Sequence, residues 1–297
     1  MSTIPEEKLY SVGSVARDTG LREETLRVWE RRYGNPTPVR LPSGHRRYTH
    51  EQLLLLRKVA VGMAGGLRPG KLLRMSSEEL DEAVQPADSG NRTEVLAPFL
   101  KAIAAFDANG LQQLLDGSLR QKGMLPWLQE IVAPLTTETG NKWVEGQFSV
   151  HQEHFFSHIV STYLQSEAQR LMPEPGKAVV LLATLPGERH GIGLLMASLI
   201  IASHGFPVRH LGVDLPVESL LAAQFETRAE AVALSVSPAG GGPATDRILG
   251  QIRKDLPESC QLLVGGSGAR QNRRGIRGIK YLGDLKELSQ WCEQASP

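Results

Sequence analysis

From residue 178 onward the chain alternates short, fully apolar runs with helical stretches, and this alternation narrows the possible folds more than any other feature. Ala178-Val-Val-Leu-Leu-Ala183 has no polar residue to place on a solvent face, so it reads as a strand buried on both sides. An apolar helix over 193–204 follows. Further strand-like runs come at 208–212, 231–235, 261–264 and 278–282, with helical spacing between them. Parallel strands need crossover connections, and helices supply them in a right-handed sense. The pattern predicts a doubly wound, Rossmann-like (flavodoxin-like) parallel sheet, whose ligands sit beyond the carboxyl ends of the strands.

The rest of the chain has a different texture, so the expected architecture is multidomain, α plus α/β. Residues 92–171 place Leu, Ile, Phe and Val at helical spacing with almost no β-rich runs. Residues 1–80 read as short helices, at 12–19, 22–32 and from a Thr49 N-cap to Met63, around a Gly/Pro/Arg-rich insert at 33–47. Polar, Pro/Gly-containing stretches at 85–90 and 172–176 divide the chain into segments 1–80, 92–172 and 176–297. The first 80 residues carry 14 Lys/Arg against 9 Asp/Glu in a chain of net charge +1, which points to nucleic acid as a partner of that segment. Two cysteines, Cys260 and Cys292, are too few for a disulfide framework and fit a reduced, cytoplasmic setting. The first ten residues lack a signal-peptide core, and no apolar run reaches the about 18 residues of a membrane helix, so no membrane partner is expected.

In the first segment, the second helix of a helix-turn-helix is the natural major-groove reader. Thr25 and Arg27 lie near its exposed N-terminal half, while Leu26 and Trp29 pack inward. The stretch Arg40-Leu-Pro-Ser-Gly-His-Arg-Arg-Tyr48 reads as a β-wing with Gly44 at its tip, placing Arg40, His45, Arg46 and Arg47 against phosphates. The runs Tyr10–Gly20, Leu26–Gly34 and Ser43–Tyr48 closely resemble the head of the MerR family in residue type, order and spacing. That resemblance implies a winged helix-turn-helix, double-stranded operator DNA as partner, and a homo-oligomer, dimer or tetramer, on two half-sites. It also implies DNA contacts by Arg27, Arg31, Arg40, Arg46 and Tyr48. With no cysteine before Cys260, a thiolate metal-sensing site is excluded on ligand count.

The loop after the first strand of the sheet carries Glu188-Arg-His190-Gly-Ile-Gly193. A neutral imidazole there would suit a transition metal such as cobalt, Glu188 could take the other ring N–H, and Gly193 would admit a bulky ligand closely. The stretch resembles the cobalamin-binding signature Asp/Glu-x-His-x-x-Gly of methionine-synthase-like B12 domains. By that resemblance His190 is the lower axial ligand of cobalt, and Ser235, Ser237, Gly265 and Gly266 line the pocket for the nucleotide tail. In the middle segment, Trp143 is followed after nine residues by Glu153-His154, and helical spacing would allow Trp143 and His154 one face, three turns apart. This is similar to the Trp-x9-Glu-His motif of the CarH/LitR-type regulators, in which a four-helix-bundle cap covers adenosylcobalamin with the Trp against the adenosyl group. Val144 stands where some photosensing relatives place a second histidine.

Together these features lead to the expectation of a cobalamin-dependent, light-responsive transcription regulator, a repressor by resemblance, with adenosylcobalamin as effector and no enzyme activity. Two other readings stay open. One is a MerR-type regulator that senses B12 without light, or has lost B12 and answers to a protein partner. The other is a corrinoid enzyme subunit, which the 80 residues given to a DNA reader and the missing catalytic barrel disfavour.

Overall fold

The computed structural model describes residues 9–64, 67–84, 93–237, 242–269 and 275–295. The stretch 85–90, expected to be a linker, and the first eight residues lie outside the described residues. The chain divides into two compact units, Met1–Ser89 with Gly140–Val150, and Gly90–Thr139 with His151–Pro297. Among the described residues no helix is long and apolar enough to cross a membrane.

The first unit opens with β1 (Tyr10–Ser11) and α1 (Val12–Thr19), where the Ser11 hydroxyl accepts from the Ser14 amide at 3.1 Å and caps the helix. After the turn at Gly20 comes α2 (Glu23–Tyr33), one residue offset from the span expected. The insert is a hairpin: β2 (Val39–Arg40) and β3 (Arg46–Tyr48) pair antiparallel, and β3 also pairs with β1 in the order β1-β3-β2. Gly44 turns the tip with φ +79°. Thr49 and Gln52 cap each other's amides at 3.2 and 3.1 Å, a capping box that starts α3 (His50–Ala64). Two short helices, α4 (Pro69–Leu72) and α5 (Ser77–Val84), close the unit over a core of Val15, Leu26, Trp29, Tyr48, Leu56 and Leu72.

Residues 93–170 are helical, as the apolar spacing predicts. The helices are α6 (Thr93–Ala104), α7 (Ala108–Lys122), α8 (Met124–Trp127), α9 (Ala133–Val144) and α10 (Val150–Arg170). A π-helical turn, Leu128–Val132, joins α8 to α9 without a break. Within the second unit Trp127 is fully buried, its indole N–H donating to Ser118 at 3.0 Å, and its ring lies against Tyr163 at 5.8 Å. The expected interruption at 172–176 is non-helical.

The sheet that follows is wholly parallel, in the order β5-β4-β6-β7-β8. Its strands are β4 (Val180–Thr184), β5 (Val208–Gly212), β6 (Ala231–Ser235), β7 (Gln261–Gly265) and β8 (Ile279–Tyr281). Helices α11 (Ile192–Ser203), α12 (Val217–Thr227), α13 (Pro243–Asp255) and α14 (Leu285–Gln294) connect and flank them. Every residue of β4 is buried, which explains the unbroken apolar run. The chain leaves β4 toward β5 on one side and returns to β6 on the other, so the strand order reverses between β4 and β6. Doubly wound sheets bind ligands at such a reversal. Both cysteines are buried and neither is in a disulfide, Cys260 just before β7 and Cys292 on α14. Burial pushes both thiols up, Cys292 to about 12.

Gly266, just past β7, has φ +96°, and a Cβ there would lie 2.3 Å from the Val236 carbonyl oxygen. Gly266→Ala is therefore expected to destabilise the protein by at least about 2 kcal/mol, since backbone strain and a backbone clash combine. Urea denaturation measures this, and an unchanged midpoint would contradict the close approach.

Candidate functional site

The loop leaving β4 is pinned at both ends by its own hydrogen bonds. Thr184 Oγ1 donates to the Glu188 carbonyl at 2.6 Å, and the Asp214 amide donates to the same oxygen at 2.9 Å. Asp214 in turn accepts from the Gly187 amide at 2.7 Å. These bonds turn the Glu188 side chain inward, where it is 4% exposed. Its Oε1 accepts from His190 Nδ1 at 2.6 Å and from the His190 amide at 2.9 Å, and its Oε2 accepts from the Ser237 amide at 3.1 Å and from the Ser237 hydroxyl. Burial alone would raise the Glu188 carboxyl, but the bonds from His190 and Ser237 outweigh it and hold the group at about 2.

The expected Glu188–His190 pairing is thus present, and it fixes Nδ1 as the protonated ring atom. Nε2 remains for a ligand, on a side chain 71% exposed. The Glu188 hydrogen bond raises the His190 pKa, burial opposes it, and the charges of Glu188 and Glu153 add to the rise. Glu153 on α10 accepts from Ser157 and from His154 Nδ1, both at 2.6 Å. Ser237, expected on the tail pocket, has its hydroxyl and amide on Glu188. That role was hidden in sequence because it depends on how β6 lies beside β4.

Next to this loop is a mostly apolar cavity of about 420 Å³, lined in part by Gly193, Ala197, Ser235, Gly265, Gly266 and Leu288. Its position follows from register: Thr184, Ser235 and Gly265 end three adjacent strands side by side. A Cβ at Gly193 would approach the Ser235 hydroxyl to 3.3 Å, so a side chain at 193 would crowd that hydroxyl. Ser235, Gly265 and Gly266, three of the residues expected to line the tail pocket, share this cavity with Gly193, the glycine expected to admit a bulky ligand closely. The residues fit a corrinoid: a lone imidazole oriented by a buried carboxylate stands beside a deep apolar slot of ligand size.

Trp143 and His154 do not share a helical face. Trp143 ends α9 and His154 is on α10, with a turn at 145–149 between them. One helical period cannot run through both residues, because the chain turns at Gly146, which has φ +75°. Trp143 lies in the first unit, beneath the Arg57 guanidinium at 5.0 Å. Val144 is buried.

On the DNA-reading head, Arg27, Arg31, Arg40 and His45 are exposed, while Thr25 and Arg47 are half-buried. Leu26 and Trp29 point into the core as expected. Tyr48 requires correction as a DNA contact. It is 0% exposed, because its place in β3 alternates inward from Arg47, and burial raises its phenol pKa. A further residue, Glu30 on α2, was missed. Its two oxygens accept from Arg40 Nη2 at 2.7 Å and Arg46 Nε at 2.6 Å, tying the recognition helix to both strands of the wing. The Arg46 hydrogen bond is the main influence lowering the Glu30 carboxyl, with burial opposing it.

Two outcomes test this geometry. Glu188→Gln is expected to bring the His190 ring pKa down toward the ordinary 6.5 in the apoprotein, read from its ring protons by NMR. An unmoved titration would show that the pair is not formed. Glu30→Gln removes a carboxylate that competes with phosphate for two arginines and loosens the wing. Non-specific DNA affinity is expected to rise by roughly two- to fivefold at low salt, while preference for a selected operator falls. Filter binding at two salt concentrations checks both directions.

Comparison with known proteins agrees with this arrangement. Residues 10–73 match the MerR HTH family regulatory proteins, and residues 95–165 match the B12 binding domain. The HTH-type transcriptional repressor CarH of Myxococcus xanthus is 30% identical over 275 residues, covering 90% of this chain and 92% of its own length. The HTH-type transcriptional repressor CarA of the same organism is 28% identical over 289 residues, covering 93% and 94%. A structure of the Methanosarcina barkeri monomethylamine corrinoid protein superposes with a TM-score of 0.52 at 16% identity, over 68% of this chain and 99% of its own, which shows a shared fold. With a MerR head at one end, a B12-binding domain behind it and near full-length alignment to two repressors, the chain belongs to the CarH/CarA family of HTH-type transcriptional repressors.

Proposed function

We propose that the protein is a DNA-binding transcription regulator whose state is set by adenosylcobalamin and by light, acting as a repressor in a dimer or tetramer on operator DNA. The observation that carries the corrinoid part is the Glu188–His190–Ser237 group on the loops that follow β4 and β6, the strands whose ends also reach the apolar cavity. In this reading His190 Nε2 would hold the cobalt. Glu188 holds the proton on Nδ1 and strengthens the ring as a ligand, and Ser237 holds Glu188. Gly193, Ser235, Gly265 and Gly266 would take the nucleotide tail. Helices α6–α10 would serve as the cap, with Trp143, Glu153 and His154 as its corrinoid-facing residues by family likeness. When bound, adenosylcobalamin would supply a cobalt centre able to take an imidazole ligand and a light-sensitive bond to carbon.

Three segments then divide the work: 1–80 reads DNA, 92–172 caps, and 176–297 binds the corrin. On the head, Thr25, Arg27 and Arg31 approach the groove while Arg40, His45, Arg46 and Arg47 meet phosphates. The repressor relatives and the DNA-reading head leave no enzyme role to support.

The purified protein, mixed with adenosylcobalamin in the dark and desalted, is expected to retain corrinoid and to change its absorption after green light. His190→Ala should lose the imidazole-ligated spectrum, and Ser235→Leu, which fills the cavity, should lose most of the retained colour. Retention without a response to light would leave a corrinoid sensor that ignores light. No retained colour would sink the corrinoid assignment and leave the DNA-binding head.

A further inference from the structure

Arg57 on α3 is only 4% exposed, and its partners come from two distant stretches of the chain. Its Nε and Nη2 donate to the two carboxylate oxygens of Asp18 on α1, at 2.7 and 2.8 Å. Its Nη1 donates to the carbonyls of Trp143 and, at 3.4 Å, Phe148, and the guanidinium lies 5.0 Å above the Trp143 ring. Trp143 and Phe148 bracket the turn between α9 and α10. Within that turn Gly146 packs so closely on Leu54 of α3 that a Cβ would lie 2.8 Å from the leucine. All of these residues belong to the first unit. The DNA-reading head therefore closes around a piece of chain roughly 90 residues further on, and the Arg57 side chain reaches two of its carbonyls.

A buried ion pair is a poor way to gain stability, since removing both charges from water offsets their attraction, but it is a specific way to define one arrangement. Asp18 neutralises Arg57 whether or not the turn is present, so the head can keep its ion pair while the turn leaves. The bonds that depend on the turn are those to the Trp143 and Phe148 carbonyls and to the indole face. The indole is not at ease there: its Nε1 is buried without a hydrogen-bond partner among the described residues. Another placement that gives this N–H an acceptor competes directly with the Arg57 contact.

We propose that Arg57 is a positioning residue that couples the α9–α10 turn to the DNA-reading head, so that displacement of Trp143 changes how α1 and α3 are held and thereby DNA affinity. The input rests on the corrinoid reading above, because that reading supplies the event at Trp143; the contact itself does not.

The test compares operator affinity of the full-length protein with and without adenosylcobalamin in the dark, in wild type and in Arg57→Met. Wild type is expected to show a ratio of the two affinities well away from one. In Arg57→Met the ratio is expected to fall to within about twofold of one, with corrinoid retention and spectrum unchanged. Arg57→Lys should behave like Arg57→Met, since an ammonium offers neither the planar face nor the fork. If Arg57→Met does not fold, Arg57→Lys decides alone, because its ammonium keeps a positive charge beside Asp18 while losing the fork. An unchanged ratio in these variants overturns the proposal, as does a wild-type protein that holds corrinoid but shows a ratio of one. If wild type retains no corrinoid, the functional reading fails separately, and coupling is judged on DNA affinity alone. Effects of Trp143→Leu that vanish in the Arg57→Met or Arg57→Lys background then support it, and additive effects overturn it.

Discussion

The buried carboxylate of Glu188 is the interaction on which the sensory half depends. A charge that deep would be neutralised or expelled unless hydrogen bonds replaced its water, and four donors from His190 and Ser237 do so. The same bonds decide two other matters. They fix the tautomer of His190 and hold the segment after β6 to the loop after β4. Removing the carboxylate would therefore disturb ring orientation and loop conformation together, and these should not separate cleanly in mutants at this position.

Much of the fold is legible because its signals are local. An unbroken apolar run such as 178–183 admits few interpretations, and all five runs are strands of one parallel sheet, shifted at most by a residue or two. Thr49 announces α3 by a capping box that needs only Gln52 three residues on. The Glu188–His190 pair is legible for the same reason, being two residues apart in one loop. What was not legible depends on pairings across the chain. Ser237 reaches Glu188 only through the β4–β6 register, Glu30 meets Arg40 and Arg46 only once the wing folds back, and Tyr48 turns inward by strand alternation. Trp143 and His154 were read through a continuous helical period that Gly146 interrupts.

The head shows how a basic surface is kept from being indiscriminate. Arg40 and Arg46 would be ordinary phosphate contacts if left free, yet both are anchored to a carboxylate on the recognition helix. An exposed pair of this sort adds little to stability. Its value lies in geometry, since it holds the two strands of the wing and α2 together as one surface.

The placement of the two sulfurs has a consequence for what the protein can be told. Cys260 and Cys292 are both buried, with thiols held well above neutrality, so neither presents the exposed thiolate that peroxides and disulfides attack. Oxidative stress thus has no direct cysteine foothold on either unit. The two thiols are poorly placed to carry an oxidative signal into the protein.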